Sequence, residues 1–165
     1  MTQKYIEESK QIQQNATYSA EAHHLMALRY KSLSNWFQVF PSVVAAITSG
    51  LAAAGISPDL LWLTLASAVT AAVGNVLNPQ QSYQGHLAAA KGFTVIKHDA
   101  RFLHEAKSTS LSEAEFRLEV QHLHEKYNEL VKIIPPTDPE FFKQAQKNVA
   151  SGIHEPDKDT NGRIL

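Results

Sequence analysis

Cysteine is absent from the 165 residues, which removes disulfides, thiolate metal ligands and cysteine nucleophiles together. Neither sign of charge predominates: 15 Lys and Arg stand against 16 Asp and Glu, a formal net charge of -1. Without a basic surplus there are few counterions to release, and no electrostatic case for nucleic-acid binding. No G-x-S-x-G, Walker or G-x-G-x-x-G pattern occurs. The acids from Glu113 to Glu129 alternate with Arg117, Lys126 and histidines, as on a solvated helix face. The expectation is therefore no catalytic residue, no cofactor and no enzyme. The first twenty residues also lack the apolar core of a signal peptide.

The scarcity that matters most is local. Between Lys31 and Lys91 the chain carries one formal charge, Asp59. Two apolar runs lie inside that stretch, at about 36–56 and 60–77, joined by Ser57-Pro58-Asp59. Helices of roughly 18–21 residues cover a ~30 Å hydrocarbon core. Neither run has the charged face that a helix in water needs. The sequence predicts an all-α membrane protein: a two-helix transmembrane hairpin with polar cytoplasmic helices forming a bundle. Ser57 can cap the second span, Pro58 suits its first turn, and Asp59 complements the positive end of its dipole. Pro41, near the start of the first span, is expected to bend it.

The flanks divide into helical segments. Ser19 is a plausible N-cap for a helix over 19–35, with further helices expected at about 80–106, 112–134 and 138–150. Ser112 and Glu115 have the spacing of a capping box, Pro135-Pro136 stops that helix, and 151–165 reads as a disordered tail. Residues 1–150 thus make one module. Arg29 and Lys31 precede the first span, Lys91, Lys97 and Arg101 follow the second, and the turn between them has no basic residue. The positive-inside rule puts both termini in the cytoplasm, with the module in the inner (cytoplasmic) membrane.

Each span sorts its residues by size. In the first, Ser42, Ala46, Gly50 and Ala54 recur every four positions, the spacing that lets helix backbones approach closely in lipid. Such a row could pack the two spans together or join subunits. In the second, Thr64, Ser67, Ala71, Asn75 and Asn78 form a small and polar stripe, and polar groups at membrane depth need a partner or water. One reading makes this stripe the lining of a pore between several copies. The other has Thr64 and Ser67 bonding back to their own helix, with Asn75 and Asn78 among the headgroups. Asp59 could ring the outer mouth of such a pore or serve only as a first-turn acid.

Eight histidines invite a search for metal ligands. His122 and His124, two apart on a helix, point away from each other, and His23 and His24 fail likewise. His98, Asp99 and His104 lack the i, i+4 pairing of a helical zinc site. No metal site is predicted, and the histidines read as structural or solvated.

The order of parts has a counterpart. A helix ending in Arg29-Tyr30-Lys31 leads into two spans, followed by Ser82-Tyr83-Gln84-Gly85-His86, Lys91-Gly92-Phe93, Tyr127-Asn128-Glu129-Leu130 and Pro135-Pro136-Thr137. Over residues 17–150 this resembles the SLATT family of bacterial two-span effector domains. The resemblance implies a homo-oligomer that forms pores, an effector in bacterial conflict or antiviral defence, triggered by a cytoplasmic sensor or regulatory protein. The alternative is a non-conducting membrane scaffold docking a cytoplasmic partner. A soluble helical bundle is the third reading.

Overall fold

Good helix formers run without a Gly or Pro from Thr2 to Phe40, so nothing local stops a helix once it has begun. In the computed structural model, which describes residues 2–55 and 60–152, they form a single helix, α1 (Thr2–Ala53). Ser19 is consequently no cap; it lies inside α1, half-buried. The predicted boundary between a helix at 19–35 and a first span disappears for the same reason. The helix also continues through Pro41. It ends in a turn at Ala54 and Gly55, the latter at φ +73°, a left-handed conformation natural to glycine. Ser57, Pro58 and Asp59 lie outside the described residues, as does most of the predicted tail.

The remaining elements are α2 (Leu60–Leu77), α3 (Pro79–Phe102), a π-helical turn (Leu103–Lys107), α4 (Glu113–Ile133) and α5 (Pro139–Ala150). The described residues contain no strand. The helix expected over about 80–106 closes in this π-turn at Lys107, and residues 108–111 form a turn and bend before α4. The capping box is present: Ser112 Oγ accepts from the Glu115 amide while the Glu115 carboxylate accepts from the Ser112 amide at 2.9 Å. Asp138 caps α5 by accepting the Glu140 amide at 2.9 Å, with Pro139 in the first turn.

The described residues form two compact units, drawn from Met1–Met26 with His86–Leu165, and from Ala27–Gly85. The first unit has a conventional core. Ile12 and Ala16 of α1 meet Phe93, Ile96, Ala100 and Leu103 from α3 and its π-turn, and Phe116, Val120 and Leu123 of α4. Along α3 and its π-turn, buried His86, Ala89, Phe93, Ile96, Ala100 and Leu103 alternate steps of three and four, with Ala90 buried beside them. Phe116, Val120, Leu123, Tyr127, Leu130 and Ile134 repeat that rhythm on α4 and beyond its end, as knobs-into-holes packing requires. Burying Phe93 or Phe116 contributes roughly 1.5–3 kcal/mol each. The helix α5 closes on α1 through Tyr18 and Phe142, whose rings lie 6.4 Å apart, and through Asn148, which donates to Glu21 at 2.6 Å. This unit owes its fold to ordinary apolar burial.

The second unit inverts the usual distribution. Trp36, Val39, Val43 and Ile47 on α1, and Trp62, Leu65, Val69, Val73 and Val76 on α2, are exposed. One described helix, α1, is long and apolar enough to cross a membrane, and only 11% of its most apolar stretch is buried. A core helix of a water-soluble domain would hide most of such a stretch.

Candidate functional site: the paired helices of the apolar unit

Within the second unit α1 and α2 pack side by side, antiparallel. Two contacts define the seam. Ser67, buried on α2, donates its hydroxyl to the carbonyl of Pro41 at 3.0 Å. Further along, Gly74 lies so near Phe37 that a Cβ in its place would fall 2.9 Å from the Phe37 Cβ. Glycine is what permits that approach. On α1 the seam follows Ser34, Phe37, Pro41, Val44 and Thr48, again at steps of three and four; Ser34, Val44 and Thr48 are buried.

This assignment revises the predicted packing row. Ser42, Ala46, Gly50 and Ala54 are all exposed, and a Cβ on Gly50 would meet nothing within 4 Å. At about 100° per residue, Ala46 and Gly50 face away from the seam, whereas Ser42 lies on its flank, beside the hollow between the helices. The small residues therefore do not join α1 to α2. The predicted pore-lining residues also part company. Ser67 is in the seam and Ala71 is half-buried beside it, whereas Thr64, Asn75 and Asn78 are exposed.

Asn78 has a different task. It joins α2 to α3 with φ +42°, a left-handed conformation that Asn tolerates better than most residues. Its amide donates to the Gly74 carbonyl at 3.0 Å, closing α2. Its side chain accepts the Gln81 amide at 3.3 Å and donates to Gln81 Oε1 at 2.8 Å, opening α3. Pro79 follows in the first helical position, where it needs no donor. One residue thus ends one helix and caps the next, which accounts for an Asn there without any channel.

Three further hydroxyls of the unit bond to backbone. Ser42 donates to Gln38 O at 2.9 Å, Thr70 to Ala66 O at 2.8 Å, and Thr48 divides its proton between Val44 O and Ala45 O. Back-bonding of this kind makes a hydroxyl tolerable without water. A short relay runs from Gln38 Nε2 to Ser34 Oγ (3.2 Å) and from Ser34 Oγ to Gln80 Oε1 (3.1 Å). Beside the relay a hollow of about 560 Å³ opens between the helices, bordered by Gln38, Ser42, Asn75 and Gln80. It could hold water or a polar headgroup, and it carries no pair of titratable groups for acid–base chemistry.

One arrangement in the first unit was not anticipated. His23 and His86, 63 positions apart, approach to 2.9 Å between their Nδ1 atoms, and both are buried. The search for i, i+4 ligands within one helix could not find a pair built across two. Burial, with the neighbouring His86 next in effect, lowers His23 to about 4, and burial lowers His86 as well. His104 is also lowered by burial and bonds Gln13 at 2.6 Å. No group of three or more metal-ligating side chains occurs among the described residues.

Comparison with protein-family descriptions, with curated proteins and with solved structures finds no match to the chain.

Proposed function

We propose that the chain is a membrane-embedded, homo-oligomeric pore-forming protein. The observation that carries this reading is the apolar coat of the second unit. Large aliphatic and aromatic side chains cover the outward faces of α1 and α2, while hydroxyls and amides bond to backbone, to one another or toward the seam. In water such a surface would aggregate; in a bilayer it is solvated by lipid tails. Both helices then span the inner (cytoplasmic) membrane. The basic residues Arg29, Lys31, Lys91 and Lys97 set both termini in the cytoplasm.

Oligomerisation is supported by the second face of α1. Its Ser42, Ala46, Gly50 and Ala54 row is small and exposed, with Ala46 and Gly50 turned away from the seam, which suits a neighbouring protomer in lipid. A pore between copies would draw on the polar positions left outside the seam, Asn75 above all. The SLATT resemblance points the same way, toward an effector opened by a cytoplasmic sensor or regulator rather than an enzyme. A second reading, a non-conducting scaffold, draws support from Ser67 and Asn78: their bonds within the protomer shorten the polar stripe that a pore would use.

Single-channel recording of the purified protein in planar bilayers separates the two. The pore reading expects unitary currents whose amplitude changes in Asn75→Leu. Absence of current from a protein that is folded and oligomeric in detergent would select the scaffold. Recovery from cytosol without detergent would overturn both.

A further inference from the structure

The His23–His86 contact is unusual in its chemistry. A 2.9 Å approach between two Nδ1 atoms is a hydrogen bond only when one nitrogen carries a proton and the other does not. The neutral pair is therefore locked into opposite tautomers. A first added proton can reside on the donor ring and keep the N–H···N bond, at the cost of a buried charge. A second would set two N–H groups against each other and break the contact.

Aromatic rings pack around the pair. Phe93 stacks on His23 with centroids 5.6 Å apart, and Tyr127 of α4 packs on Phe93 at 5.5 Å. Glu21, on α1 near the pair, takes a hydrogen bond from Asn148 of α5. His24 and Lys91 border a separate hollow on the α1–α3 face with Glu21. The spacing also argues for a proton over a metal. Two imidazole nitrogens sharing tetrahedral zinc stand about 3.3 Å apart, given Zn–N bonds near 2.05 Å.

We infer that the His23–His86 pair is a proton-sensitive latch, holding α1 to α3 in the first unit near neutrality and releasing them in acid. Its position suits this role. His86 is the first residue that α3 contributes to the unit, and His23 lies three residues before the last from α1. The latch joins the two helices where each leaves the core. The inference rests on the first unit alone and is independent of the membrane reading.

The sign follows from burial. Both rings are harder to protonate folded than unfolded, so the contribution of the pair is complete above the ordinary histidine value of 6.5 and declines as pH falls toward 4. Opening then becomes easier by about tenfold per pH unit for His23 in that window, and burial of His86 acts in the same direction.

Nitrogen NMR of the labelled full-length protein in nanodiscs tests the pair directly. At pH 6 both rings are expected to be neutral, in opposite tautomers. Ordinary midpoints for both rings, or identical tautomers, overturn the latch. Hydrogen exchange between pH 7.5 and 5 supplies the second arm. Amides flanking His23 and His86 should lose protection in the wild type, beyond the intrinsic rate change. The double variant His23→Asn/His86→Asn, which keeps a hydrogen bond at the Nδ1 position without titrating, should not. Equal loss in both proteins overturns the proposal; if the double variant fails to fold, the NMR result decides.

Discussion

Ser67 on α2 gives its hydroxyl proton to the carbonyl of Pro41 on α1 at 3.0 Å, a bond between helices rather than within one. That single contact turns a residue whose type suggests a pore wall into part of a seam. Ser67→Ala should weaken the helix pair by about 0.6 kcal/mol, and at most about 2 kcal/mol, as interhelical hydrogen bonds in membranes do. Ser67→Leu should cost more, because the site is buried. Unfolding of the purified protein in mixed micelles measures both. Equal stability of wild type and Ser67→Leu would remove Ser67 from the seam.

Gly74 and Gly50 provide a matched pair. A side chain at Gly74 must displace Phe37, whereas one at Gly50 meets open space. Gly74→Val should lower the stability of the protomer by 1–3 kcal/mol, roughly the cost of overpacking. Gly50→Leu should leave protomer stability nearly unchanged and reduce the oligomer on native gels. If Gly50→Leu assembled normally, the exposed row of α1 would not be the contact between subunits.

Asn78 separates backbone from side-chain effects. Asn78→Gly keeps the left-handed φ of +42° at no steric cost but loses the cap on α3. Asn78→Ala loses the cap and strains the backbone. The expected order of stability is Asn, then Gly, then Ala, with the cap itself worth about 1 kcal/mol. Circular dichroism melts in detergent read the order. Should Asn78→Ala match the wild type, the junction would not depend on this residue.

The capping box of α4 carries its own pH dependence. The Ser112 hydroxyl and amide hold the Glu115 carboxyl below its ordinary value of 4.5. Its contribution is therefore present above that value and fades as pH falls through the folded one. In Ser112→Ala the first turn of α4 should fray at every pH, and the acid-dependent part should shrink to what the residue-112 amide alone supports. Exchange of the amides from Glu113 to Arg117 between pH 6 and 3 follows both effects. An undiminished acid effect in Ser112→Ala would place its origin elsewhere.

Much of the helical architecture was legible in residue types. Ser112 and Glu115 announce their cap, Asp138-Pro139 opens α5, and the uncharged stretch locates the apolar unit. What escaped depended on choosing between faces of one helix. Two stripes on α1 have regular spacing, Ser42 to Ala54 and Ser34 to Thr48, and small size drew attention to the first. The seam uses the second because Phe37 fills the notch at Gly74 and Pro41 offers a carbonyl to Ser67; only a partner helix shows either fact. The histidine pair was hidden for a related reason. His86 lies in step with Phe93 and Ala100, seven residues apart, but a buried rhythm on α3 does not say that His23 of α1 stands opposite. Ser19 misled in the other direction: a capping residue caps only where the preceding residues leave the helix, and here they do not.

The π-helical turn at Leu103–Lys107 has a consequence for the chain as text. It holds roughly one residue more per turn than the helix it extends, and it is the last turn before the chain leaves that helix. Upstream, Phe93, Ala100 and Leu103 are in frame; downstream, Phe116 begins a new frame after its own cap. The two packing frames are thus set independently: α3 closes its own at Leu103, and the Ser112 cap starts that of α4 afresh.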